Sequence, residues 1–150
     1  MSLNRRTLAK LVPAVVARFA YSTPVSKSSD TPTQAPLSSR AYPFADLEVH
    51  RNGPFVSRQI LRGETHAGFP LDLHESELEV GMMPHAPHQH VHEEVLFIRE
   101  GQIDITFDGQ ITRLTPGSVA YIASNVLHGW KNTGANVASY FVLALGKDDK

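Results

Sequence analysis

The run His88-Gln89-His90-Val91-His92-Glu93-Glu94 concentrates side chains that bind metals, and His128 adds another imidazole forty positions downstream of His88. His88 and His90 are two apart, so on a β-strand they point to one face. Glu94 lies four residues beyond His90, within reach of that face across a short bend or strand. Two imidazoles and a carboxylate converging on one point suit a divalent transition metal, with His128 as a fourth ligand from another strand. Mixed nitrogen and oxygen donors favour one Fe(II), Mn(II), Ni(II), Cu(II) or Zn(II) ion per chain over Mg²⁺ or Ca²⁺. A His-rich tract can also be a solvated loop. The flanks argue against that. Pro84 and Pro87 stiffen the approach, Val95-Leu96-Phe97-Ile98 follows at once as an apolar strand, and Gly101 closes it.

The elements that must position these groups read as strands. Segments 57–61, 71–80, 95–99, 102–107, 111–114, 118–122, 127–131 and 138–145 have strand length and are separated by Gly- and Pro-containing turns. Asp108-Gly109 is a hairpin signal. Short strands without long helical periods predict an all-β sandwich or barrel over residues 41–150. Parity then sorts the faces. Glu94, Leu96 and Ile98 share one side, as do Ile103, Ile105 and Phe107, and His128, Trp130 and Asn132. The expected interior is apolar, with the ligands near one end.

Several further residues are candidates for the pocket. His92 has the parity of His90 and is read as a group behind the ligands or at the rim. His74 shares parity with Leu78, so it faces the cavity unless it stands at an exposed strand edge. Tyr121 could offer a phenolic proton or belong to the core or an interface, and Trp130 packs near the pocket. Arg58, Arg62 and Arg113 could meet an anionic substrate, although lone strand arginines are commonly solvated edge charges. His50, His66 and His85 fall in loops with no assigned role. Val95 and Phe97, and the doubly apolar run at 138–145, need cover on both faces, which points to a second sheet or a second subunit.

The stretch His88-x-His90-x-x-x-Glu94, followed by six residues and Gly101, resembles the first cupin motif; Gly81 stands one residue farther upstream than the strict pattern asks. Pro116-Gly117, followed by His128-Gly129-Trp130-Lys131-Asn132, resembles the second, with a longer gap before the histidine than in its short form. The resemblance covers about residues 71–145. It implies a cupin-type double-stranded β-helix, or jelly-roll, barrel whose metal ligands are His88, His90, Glu94 and His128, with Asn132 closing a turn or strand contact. It also implies a homodimer and a small-molecule ligand at the metal. Cupins with this ligand set include dioxygenases, decarboxylases, isomerases and lyases. The favoured expectation is a dioxygenase-like oxidoreductase acting on a small oxygenated molecule. The alternatives are a binding module without turnover and a Lewis-acid isomerase or lyase acting on a sugar or uronate.

Composition bounds the rest. The chain of 150 residues permits one domain and has no cysteine, which excludes disulfides, thiolate ligands and a cysteine nucleophile. Net charge is −1 and no basic patch argues for nucleic acid. The charge is uneven, however. The first 35 residues hold five basic residues (Arg5, Arg6, Lys10, Arg18, Lys27) and one acid (Asp30), while the remainder carries a net −5. Residues 1–28 therefore read as a targeting leader and 29–40 as a Ser/Thr/Pro-rich linker. Asn4-Arg5-Arg6-Thr7-Leu8-Ala9-Lys10 is similar to a twin-arginine export signal, so a periplasmic location is expected, with a mitochondrial or cytoplasmic one as alternative. The apolar stretch behind it is too short for a stable membrane span.

Overall fold

The computed structural model describes residues 35–146. The leader at 1–28 and the first part of the linker lie outside the described residues. One turn of 3-10 helix at Phe44–Asp46 precedes nine strands: β1 (His50–Asn52), β2 (Phe55–Glu64), β3 (Pro70–Leu78), β4 (Glu93–Glu100), β5 (Ile103–Phe107), β6 (Gln110–Leu114), β7 (Val119–Ile122), β8 (His128–Asn132) and β9 (Ala138–Leu145). They form a six-stranded sheet in the order β1-β2-β3-β9-β4-β7 and a three-stranded sheet in the order β6-β5-β8. Every pairing is antiparallel. This is the expected all-β jelly roll. β1 is an addition: three exposed residues without alternation carry no strand signal in the sequence.

Burial follows the predicted alternation. Glu94, Leu96 and Ile98 of β4, Ile103 and Ile105 of β5, and His128, Trp130 and Asn132 of β8 are all buried. With Leu78, Ala120, Ile122, Tyr140 and Val142 they fill the space between the sheets. Fully burying a side chain of this size contributes about 1.5–3 kcal/mol, so this core is the main source of stability. Burial also raises the Tyr140 phenol to about 12, which keeps it neutral.

Two glycine-dependent features fix the site-bearing strands. Asp108 (φ 46°) and Gly109 (φ 85°) both take left-handed backbone, the geometry of a two-residue hairpin turn joining β5 to β6. Gly101 has φ 78°, and a Cβ there would stand 2.6 Å from the Ala138 Cα. No other residue satisfies both conditions, which gives the last glycine of the first motif its physical reason. Asn132 is fully buried; its Nδ2 donates to the Leu78 and Asn136 carbonyls (2.7 and 2.9 Å) and its Oδ1 accepts from the Gly134 N–H. The side chain thus ties the end of β8 to β3 and to the turn leading into β9.

An N-terminal strap crosses the outer face of the large sheet. Leu37, late in the linker, donates its N–H to the Glu64 carbonyl (2.8 Å) and packs on Gly63. Farther along, the guanidinium groups of Arg58 and Arg99 both lie over the Phe44 ring, above the buried carboxylate of Glu75.

Candidate metal centre

The chain reaches the site as irregular backbone rather than as the strand expected at 88–90. Only His88 is in ladder register: its N–H and C=O exchange two hydrogen bonds of 2.9 Å with His128. The segment before it runs along β8, with Gly81 N–H donating to the Asn132 carbonyl and Asn132 N–H to the Met82 carbonyl. Pro87 sits against Gly129, where a Cβ would approach its ring atoms to 3.2 Å. His90 is fixed separately: its carbonyl accepts from the Asn125 N–H at 2.7 Å. Convergence therefore comes from a backbone bridge and a turn contact, not from the pleat of one strand.

The side chains nevertheless meet. Ring nitrogens of His88, His90 and His128 lie within 4.8 Å of one another. Glu94, on the inner face of β4, places Oε2 at 3.4 Å from His90 Nε2 and 3.5 Å from His128 Nε2. Backbone carbonyls set the tautomers. His90 Nδ1 donates to the His92 carbonyl (2.7 Å) and His128 Nδ1 to the Val126 carbonyl (2.8 Å). A neutral imidazole with its proton on Nδ1 carries a lone pair on Nε2. Two such lone pairs thus aim at one carboxylate oxygen, and His90 Nε2, His128 Nε2 and Glu94 Oε2 are all buried without a hydrogen-bond partner. Acceptors pointed at one another away from water repel unless a cation stands between them. The donor set fits a divalent transition metal, and the two carbonyls are the orienting partners that metal-ligating histidines require. Burial, then the neighbouring imidazoles of His85, His128 and His90, hold His88 below the ordinary histidine range, which favours the neutral, ligating form.

The other candidates separate by position. His92 stacks on His90 (centroids 3.6 Å, planes 7° apart) and brings Nε2 to 3.4 Å from Glu94 Oε1, the carboxylate oxygen that faces away from His128. His90, His92 and Glu94 form a second overlapping cluster of ligating atoms. Trp130 is buried and lies nearly parallel to His128. His74 lies on the inner face of β3, opposite Val142, and lines a cavity of about 580 Å³ with His50, Ser57, Gln59, Arg62 and Ser76. Tyr121 is a correction. It is 56% exposed on β7, paired with Val95, and so faces outward away from the ligands; a hydrogen bond with Glu93 raises its pKa further from any neutral-pH role. Its even-numbered neighbours, Ala120 and Ile122, take the interior positions. His85 was missed by sequence reasoning. Its ring packs edge-on against His88 (4.2 Å) and against Trp130 (5.5 Å). The signal available was His85 three residues before His88 in a proline-stiffened approach.

A jelly roll with a histidine–carboxylate cluster at one end of its interior defines the class. Residues 74–144 match the cupin domain family, and the fold is the jelly roll of its cupin neighbours. Among solved structures it is similar to an RmlC-like cupin from Shewanella frigidimarina (21% identity over 73% of this chain and 93% of that one, TM-score 0.60). It is similar also to KdgF from Halomonas sp. (14% identity, 71% and 94% covered, TM-score 0.61). A third is the polyketide cyclase RemF from Streptomyces resistomycificus (18% identity, 76% and 83% covered, TM-score 0.61). At these identities the likeness establishes the fold. No curated protein matches the sequence.

Proposed function

We propose that the protein is a metal-dependent enzyme of the dioxygenase-like kind, acting on a small oxygenated molecule chelated at one divalent transition metal. The observation that carries this reading is the convergence of His90 Nε2, His128 Nε2 and Glu94 Oε2, buried and unpartnered, beside the His88 ring. His88, His90, Glu94 and His128 would hold the ion. When bound, such an ion supplies Lewis acidity and, if redox-active, a site for O₂. Four protein ligands on a six-coordinate ion leave room for a bidentate oxygen ligand. The chain's own residues do the remainder. The Val126 and His92 carbonyls hold the Nδ1 protons and keep the imidazoles aimed. Leu96 and Ile122, flanking Glu94 on the inner face, exclude water from the floor of the site. Glu94 Oε1, facing His92 Nε2, can pass a proton between carboxylate and imidazole without either group leaving its place.

A Lewis-acid lyase or isomerase is the second reading, favoured by the polar inner-face cavity with His74, Gln59 and Arg62, which suits a hydrophilic substrate. Oxygen uptake separates the two. The Fe(II)-loaded protein, offered catechols, 2-oxo acids and thiols, should consume O₂ with one class and lose turnover anaerobically. Turnover with Zn(II) in the absence of O₂ would overturn the oxidoreductase reading in favour of the second. In either case the metal is catalytic. Because the core is built without it, removal by chelator should leave the circular dichroism and the cooperative melt intact and abolish binding of a bidentate oxygen ligand. Unfolding on removal would mark a structural site instead.

The reading includes a homodimer through the outer face of the large sheet. Phe97, Val119 and Tyr121 are exposed there beside Val95, Phe141 and Leu143, an apolar surface of the kind that marks interfaces. Light scattering should give a dimer for the wild type and a monomer for Phe97→Asp/Val119→Asp; an unchanged mass would discard this face as the interface.

A further inference from the structure

The strand β2 carries a bulge that changes which arginine faces the site. Its register against β3 runs Ser57↔Ser76, Arg58↔Glu75, Gln59↔His74 and then jumps to Leu61↔Leu73 and Arg62↔Asp72, so Ile60 is the extra residue. In an unbulged strand, residues 58 and 62 would share a face and Arg62 would point outward with Arg58. The bulge inverts the parity, and Arg62 joins Gln59 on the inner face. Bulges near functional sites serve to re-aim a side chain in this way. Gln59 secures the irregularity: its Nε2 donates to the Leu61 and Leu73 carbonyls (3.0 and 3.1 Å) and to Asp72 Oδ1 (3.0 Å).

Arg62 is thereby aligned with the metal ligands. Pairing across the sheet gives the row Glu94 (β4), Ala144 (β9), Asp72 (β3), Arg62 (β2). At roughly 4.8 Å per strand, Asp72 lies about 10 Å and Arg62 about 14 Å from Glu94 along the backbone. Ala144, the small residue between Glu94 and Asp72, keeps the path low. A cavity lined by Arg62, Asp72 and Ala144 occupies it and shares Arg62 with the His74 cavity. Asp72 is consumed within the protein, accepting from Gln59, Arg62 Nε and His74. Burial alone would raise its pKa; these hydrogen bonds and the Arg62 charge outweigh that and hold it below the usual carboxylate range. Arg62 meets Asp72 through Nε, and its side chain, 73% exposed, stands at the mouth of the cavity that both residues line. The groove is therefore rich in donors, with its one carboxylate already occupied. Of the other two arginines weighed for an anion, Arg58 is paired with Glu75 and Glu77, and Arg113 doubly with Asp104.

We infer that Arg62, turned inward by the bulge at Ile60 and braced by Asp72, binds the distal carboxylate of a substrate whose other end chelates the metal. A planar guanidinium fork matches a carboxylate in two parallel hydrogen bonds, which selects a carboxylate over a hydroxyl. This rests on the open-metal reading above and adds the substrate class: a small oxygenated acid with a second carboxylate about 10 Å from the ion.

The test is calorimetric titration of the Mn(II)-loaded full chain, after its metal content has been measured. The probes are 2-oxo dicarboxylates of six to eight carbons, each matched with the 2-oxo monocarboxylate of equal length. The wild type should prefer the dicarboxylate about ten- to a hundredfold for at least one length. Arg62→Gln should bring that ratio near one while leaving the monocarboxylate affinity unchanged, Arg62→Lys should fall between, and Arg113→Gln should behave as wild type. A wild-type ratio near one at every length overturns the subsite and leaves the metal reading standing. Preference that survives in Arg62→Gln does the same. If the metal is present and neither ligand series binds, the open-metal reading fails and takes the subsite with it.

Discussion

His128→Ala should purify with less than about a tenth of the metal bound by the wild type after loading and desalting in parallel. Residues that merely orient a ligand cost ten- to a hundredfold in affinity when lost, and a ligand itself costs at least that much. His128 contributes twice, through Nε2 at the Glu94 carboxylate and through the backbone bridge that aligns His88. The substitution removes the first and keeps the second, so the fold persists and the loss reports on ligation. Glu94→Gln offers a near-isosteric companion: it keeps the shape and removes the charge, and metal content should fall less than in His128→Ala. Elemental analysis checks both. Wild-type stoichiometry in His128→Ala would remove it from the ligand set.

Gly101→Ala should be the most damaging single methyl in the chain. The left-handed backbone alone costs an alanine about 1–2 kcal/mol. The new Cβ would also stand 2.6 Å from the Ala138 Cα and 2.9 Å from the Val137 carbonyl oxygen, so β4 and β9 must separate where they enclose the core. Overpacking of this kind adds about 1–3 kcal/mol. A total of about 2–5 kcal/mol corresponds to a fall in Tm on the order of 10–20 °C for a domain of this size. Gly109→Ala is the matched control, with the same sign of φ (85°) but nothing within 4 Å. Its cost should be the conformational part alone. Equal melting temperatures for the two variants would show that the close approach carries no weight.

What the sequence disclosed and what it hid divide along a physical line. Side-chain parity is a local property, so the inward sets on β4, β5 and β8 could be read from spacing, and with them the positions of Glu94, Leu96 and Trp130. The Asp108-Gly109 turn and the glycine after β4 were legible because left-handed backbone restricts residue choice. Features made by register were not legible. Nothing in the run Gln59-Ile60-Leu61 announces an extra residue, yet that residue decides which way Arg62 points. Tyr121 was weighed as a proton donor at the pocket, while its pairing with Val95 sends it outward. His85 belongs with His88 and Trp130 through packing alone. The ligand segment itself was expected as a strand because two histidines at a spacing of two invite that reading; a carbonyl on a turn, at Val126, does the orienting instead.

The bridge between His88 and His128 closes a loop of forty residues that contains β4 through β7. Contacts so distant in sequence form only after the intervening hairpins have assembled, because chain closure must be met before the contact returns any stabilisation. The cluster of ligands is then expected to form late, after the transition state. A cation that recognises the finished cluster can hold the native state together without helping to reach it. Stopped-flow refolding should therefore proceed at one rate with or without Mn(II), while unfolding in denaturant should slow in its presence, by about a hundredfold if the ion adds about 2.7 kcal/mol at a hundred times its dissociation constant. Acceleration of the refolding limb would show instead that the forty-residue loop closes early, around the ion.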